Sequence, residues 1–169
     1  FPNVFSKWLA YSINVLAMVG ILILLFKIGK KVTGNNLYAL IASGAYALSI
    51  ACITTTIYLR MYATLTFFVL AFLYMSLVMY EKKNTVRLSD CLMLTLIVIL
   101  GILTQYYFIL FAGLIGLVFL VFKIKERNIK DLIKYIIAAV IGAVIALCIY
   151  PYIISNVLGG NRGLGSLDI

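Results

Sequence analysis

Thr54-Thr55-Thr56-Ile57-Tyr58-Leu59-Arg60-Met61-Tyr62 is the stretch whose reading decides the fold. It lies inside a 44-residue run, Leu37 to Tyr80, in which Arg60 is the only charged residue. A run that long and that apolar belongs in lipid, because about 20 apolar residues in a helix already cross the hydrocarbon core. A lone cation beside it is costly unless it sits at an interface, in a water-filled cavity or opposite an anion. The run therefore reads as a helical hairpin, with Arg60 at its outer mouth serving an anionic site.

Composition points the same way. Of 169 residues, 65% are hydrophobic and only 11% charged, and the mean hydropathy is +1.16. Soluble domains carry about a quarter charged residues, so an integral membrane protein is expected. The chain opens on Phe1, with no basic leader before the first apolar run, and stops in a Gly-rich stretch. It reads as a piece of a longer protein. The net charge of +9 is spread in short clusters between apolar runs, the pattern of loops that meet anionic headgroups and not of a nucleic-acid site. Cys52, Cys91 and Cys148 lack metal-ligand spacing and read as small buried hydrophobes. The chain has no histidine, which removes His-based metal sites and His general bases.

Working outward, the expected membrane segments are 8–26, 37–58, 61–80, 88–103, 107–122 and 132–154, with 155–169 opening an outer loop. Two of these come from one run. Cys91 to Phe122 is 32 residues without a charge, roughly 48 Å as a single helix against a core of about 30 Å. It must break, and Thr104-Gln105-Tyr106-Tyr107, after Gly101, is the polar place to do so. The fold class expected is all-α: a multi-pass transmembrane bundle of six segments with one short-helix hairpin. In the loop before the last segment, Ile129, Leu132 and Ile133 share a helical face, so part of that loop is expected to lie flat on the membrane.

Charge orients the segments. Eleven of the fourteen Lys and Arg lie at 27–31, 82–87 and 123–134. Only Lys7, Arg60 and Arg162 fall on the opposite side. The three basic loops are therefore expected in the cytoplasm, and both ends of the chain outside. The outer ends then collect Lys7, Trp8, Thr54 to Thr56, Tyr58, Arg60, Tyr62, Gln105, Tyr106, Tyr107, Tyr150, Tyr152, Asn156 and Arg162. Each tyrosine alone fits an interfacial belt. Lys7 fits a snorkelling anchor as well as a functional cation, Gln105 fits the backbone of a helix break, and Arg162 fits an ordinary loop. Three cations among phenols nevertheless suit an anion such as a lipid-linked phosphate. Asp168 is the only carboxylate side chain on that face, and nothing around it marks a catalytic base.

Leu59-Arg60-Met61-Tyr62-Ala63-Thr64-Leu65 resembles the A-R-M-Y-x-L signature of polytopic glycosyltransferases of the C superfamily (GT-C), in the protein mannosyltransferase-like group; here the Leu falls one place later. Phe5-Ser6-Lys7-Trp8-Leu9 resembles the stretch that opens an early helix in that group. Leu103-Thr104-Gln105-Tyr106-Tyr107-Phe108 is similar to its L-T-H-Y-(Y/F)-F element, with Gln105 in place of His. Tyr150-Pro151 and Gly160-Asn161-Arg162-Gly163 are similar to a helix end and outer loop of some bacterial members. Where the family often has S-Q-E, this chain has Thr56, Ile57 and Tyr58.

The resemblance implies a membrane enzyme that moves a sugar from a polyprenyl-phosphate carrier to a glycan, lipid or protein acceptor at the outer face of the cell membrane. It implies that Arg60, with Lys7 or Arg162, holds the donor phosphate, and that Tyr62, Gln105 and Tyr106 line the cavity. The acidic motif of the first outer loop, with the first helix, would precede Phe1, so no catalytic acid or base is assigned. A divalent metal in the longer protein stays open, and no ligands for one are identifiable in these residues. The alternative is a transporter or lipid-linked-sugar flippase module, which would carry a charged or unwound site at mid-membrane. A scaffold without chemistry would leave the outer polar groups scattered.

Overall fold

Every element described is a helix, as a sequence this apolar requires: in lipid each backbone N–H and C=O must find its partner within the segment. The computed structural model describes residues 4–57, 61–82 and 85–152, without the side chains of 4–7 and 55–57. Among the described residues there are seven helices: α1 (Val4–Thr33), α2 (Asn36–Ala47), α3 (Ile50–Ile57), α4 (Tyr62–Glu81), α5 (Leu88–Thr104), α6 (Phe108–Lys125) and α7 (Ile129–Ile149). This is a multi-pass helical membrane bundle. Among the described residues, four stretches are long and apolar enough to cross a bilayer: Trp8–Thr33, Tyr62–Glu81, Phe108–Lys125 and Ile129–Ile149. Their outward faces are aliphatic: on α6, Leu110, Leu114, Leu117, Val118 and Val121 are all more than half exposed, a surface that lipid and not water must cover. The chain forms two compact units, Phe1–Tyr74 and Met75–Ile169.

In the first unit, α1 ends in Lys30 and Lys31, cations that suit the negative end of the helix dipole. Gly34 then turns left-handed at φ 68° and its N–H returns to the Lys30 carbonyl at 2.8 Å, the αL stop that glycine makes cheaply. Asn35 caps α2 by accepting from Leu37 N–H at 2.8 Å. The turn lays α2 along α1, so close that a Cβ on Gly29 would stand 3.0 Å from Ala39 Cα. The Phe67 ring of α4 occupies the notch at Gly20. Ile21, Ala39 and Cys52 are buried there.

The apolar stretch 37–58, expected as one segment, is two helices. The interruption is Leu48-Ser49. Ser49 Oγ donates to the Tyr46 carbonyl at 2.6 Å and accepts from Cys52 N–H at 3.1 Å, so one hydroxyl closes α2 and caps α3. Neither piece, at about 18 and 12 Å, spans a bilayer alone.

In the second unit the expected break is present: α5 and α6, about 26 and 27 Å long, are separated at Gln105-Tyr106-Tyr107. α7 runs alongside α5 in the same direction. Thr95 Oγ donates to the Ala138 carbonyl at 3.0 Å, and a Cβ on Gly142 would meet the Thr95 carbonyl oxygen at 2.9 Å. Ala138, Gly142 and Ala146, spaced by four, are buried and let the two backbones approach, as small residues do between helices in lipid.

The basic ends of this unit gather at one end. Lys82 Nζ binds both carboxylate oxygens of Asp90 at 2.7 and 2.8 Å. Lys134 Nζ donates to the Val86 carbonyl at 3.0 Å. Lys123, which sequence placed among loop cations, is instead completely buried in the last turns of α6. Residues 129–133 are likewise the first turn of the long α7, not a separate flat helix; Leu132 is buried while Ile129 and Ile133 are exposed.

Candidate active site region

The α5–α6 turn is built by a glycine. Phe108 is fully buried, and its ring occupies the space a Cβ on Gly101 would take, 2.6 Å away. With α6 thus folded back on α5, Gln105 N–H bonds the Gly101 carbonyl at 3.1 Å, and Phe108 N–H bonds the Gln105 carbonyl at 3.0 Å. The turn's own backbone satisfies these groups. The Gln105 side chain takes part in neither bond.

That leaves a polar side chain unexplained. Gln105 Oε1 is buried and has no hydrogen-bond partner among the described residues. A buried amide oxygen without a donor costs about 1–3 kcal/mol, and this one has acceptor capacity that the described residues do not use. Beside it the Tyr106 and Tyr107 rings pack with centroids 4.3 Å apart. Sequence singled out Gln105 and Tyr106. It missed Gly101–Phe108 as the pair that holds them; the signal available was a glycine in the last turn before a polar break. By helix length the turn stands roughly 22 Å from the Asp90 end of α5.

The other expected site residues are placed less fully. Tyr62 opens α4 in the first unit, about two-fifths exposed, and its carbonyl accepts from Thr66 Oγ at 2.9 Å. Lys7 lies in the first turns of α1, its side chain outside the described residues. Arg60 and Arg162 lie outside the described residues altogether. Among those described, no group of three or more Cys, Asp or Glu could hold a metal ion.

The stretch from α1 through this turn to the end of α7 also carries a family signature. The profile of the dolichyl-phosphate-mannose-protein mannosyltransferases matches residues 3–152. This chain belongs to that family. The match takes in Lys7, the Arg60-Met61-Tyr62 motif and the Gln105 turn, and makes the chain part of a membrane glycosyltransferase family of the C superfamily. No curated protein and no solved structure matches the chain.

Proposed function

We propose that this chain is the donor-binding part of a glycosyltransferase that takes a sugar from a polyprenyl-phosphate carrier and delivers it to an acceptor at the outer face of the cell membrane. Basic stretches 27–31, 82–87 and 123–134 face the cytoplasm in this reading, and Arg60 and Gln105 face outward. Arg60, with Lys7 or Arg162, holds the donor phosphate. Tyr62, Gln105 and Tyr106 line the cavity, and Gln105 Oε1 accepts from a hydroxyl of the substrate.

One observation supports the reading beyond family membership: the buried Gln105 oxygen that has no donor among the described residues, at a turn where Gln105, Phe108, Ile109 and Leu110 N–H already bond backbone carbonyls. The chemistry is consistent. A guanidinium in a dry setting stabilises a phosphate by charge-assisted hydrogen bonds, and the departing polyprenyl phosphate carries more negative charge than the phosphodiester donor, so the same contact favours transfer. The proton of the acceptor would be taken by a base outside these residues.

The test uses the full-length protein in membrane vesicles with labelled polyprenyl-phosphate-mannose. Arg60→Ala is expected to lower transfer about 10- to 100-fold, the effect of a lost hydrogen bond to a charged group, with insertion unchanged by protease protection. Unchanged transfer by a correctly inserted Arg60→Ala protein overturns the assignment. Gln105→Leu should lower transfer without lowering thermal stability.

A further inference from the structure

We infer that the α6–α7 corner is a binding site for the headgroup of an anionic glycerophospholipid, formed where Arg127, Lys130 and Lys134 surround one cleft between exposed isoleucines. The cleft has a volume of about 620 Å³ and is lined by Arg127, Asn128, Ile129, Lys130, Asp131 and Lys134. Three cations thus face one carboxylate. That carboxylate is already engaged: Asp131, almost fully buried, accepts from Asn128 Nδ2 at 2.8 Å and lies 3.9 Å from Lys134 Nζ. Lys134 also holds the Val86 carbonyl. Arg127 and Lys130 are exposed and carry no ion pair among the described residues.

The corner is held in a form its sequence does not favour. Arg127 N–H bonds the Ile124 carbonyl at 3.0 Å and Asn128 N–H bonds the Lys123 carbonyl at 3.1 Å, with Arg127 left-handed at φ 57°. This is the Schellman stop whose left-handed position is usually glycine. A long cation at that position costs about 1–2 kcal/mol of backbone energy and gains nothing within the described fold.

A lipid suits the site better than a soluble anion because of where it lies. The corner joins two membrane-length helices, Phe108–Lys125 and Ile129–Ile149, and so stands at headgroup depth. Ile124, Ile129 and Ile133 are each half exposed or more, ready to meet the upper acyl chains beneath a phosphate held by the cations. Asn128 Oδ1 already takes Asp131 N–H at 3.3 Å, so the side chains, and not the start of α7, supply the charge.

The experiment releases the protein from nanodiscs of equal parts phosphatidylglycerol and phosphatidylcholine and counts retained lipids by native mass spectrometry. The wild type should retain phosphatidylglycerol preferentially, and millimolar inorganic phosphate should not displace it. Arg127→Gly and Lys130→Gln should each lower that preference about fivefold, the effect of one cation at an anionic surface. Arg127→Gly also relieves the left-handed backbone, so its melting temperature should hold or rise. Lys30→Gln with Lys31→Gln removes charge elsewhere and should leave the preference intact. Unchanged preference in Arg127→Gly and Lys130→Gln, equal loss in the Lys30/Lys31 variant, or displacement by inorganic phosphate overturns the proposal.

Discussion

Lys123 Nζ donates to the Tyr80 carbonyl at 2.9 Å from a side chain with no exposed surface. Tyr80 lies in the last turn of α4, where carbonyls have no helical partner, so a lysine from α6 closes α4. Glu126 Oε2 at 3.6 Å, the Tyr80 ring at 5.1 Å and the Phe119 ring at 5.9 Å complete its surroundings. Among the described residues no single carboxylate bonds it closely; a carbonyl, two ring faces and a nearby anion share the charge.

Lys123→Met keeps most of the volume and removes both the donor and the buried charge. It should lower stability by about 1–3 kcal/mol, the cost of leaving the part-buried Tyr80 carbonyl without its donor. Lys123→Glu places a second carboxylate beside Glu126 and should give no folded protein. Thermal unfolding in detergent reads both; a Lys123→Met protein melting with the wild type would show that the Tyr80 carbonyl does not depend on this lysine.

Asp90 does two jobs, and its variants should reveal both. It binds Lys82 and accepts from Arg87 N–H at 3.0 Å. Lys82 is about one-third exposed, so the ion pair alone is worth less than about 1 kcal/mol. Asp90→Ala should cost about 1–2 kcal/mol more than Lys82→Ala, because it also removes the cap of α5. Raising salt should weaken the wild type and leave Lys82→Ala nearly unaffected. Equal losses in the two variants would remove the capping role.

Gly142 is irreplaceable where Gly113 is not. A side chain at 142 meets backbone, the Thr95 oxygen at 2.9 Å, while nothing lies within 4 Å of a Cβ at 113. Gly142→Val should lower stability by about 1–3 kcal/mol or more, and Gly113→Ala should raise it by up to about 1 kcal/mol through helix propensity. The comparison of the two melting temperatures checks the parallel packing of α5 on α7.

Ser49→Ala removes the hydroxyl shared by α2 and α3. A loss of about 0.5–2 kcal/mol is expected, with faster hydrogen exchange at the Cys52 amide. Unchanged exchange would mean that another group caps α3.

Much of the architecture was readable in the chain because lipid imposes one rule on every residue of a span. Long uncharged runs had to be helices, and the run from Cys91 to Phe122, too long for one, had to break at its polar cluster. The division of 37–58 was not readable in the same way, because Ser49 is one small hydroxyl among several in that apolar run, with Ser43 and Thr54 to Thr56, and acts through two local hydrogen bonds that hydropathy does not register. Lys123 misled for the opposite reason: charge patterning treats every lysine at a helix end as solvated, whereas a long side chain can carry its ammonium inward to a neighbouring helix end.

The amino-acid sequence by itself determined that this is a multi-pass helical membrane protein, and its short motifs pointed to the mannosyltransferase-like family, because hydrophobic length and local motif chemistry are properties of contiguous residues. Tertiary structure alone decided which helices touch, that Gly101 gives way to Phe108 to hold the Gln105 turn, that Gln105 Oε1 is left without a described donor, and that Lys123 closes α4. Those outcomes depend on the space and the open hydrogen bonds that one helix presents to another, and no spacing along the chain encodes them.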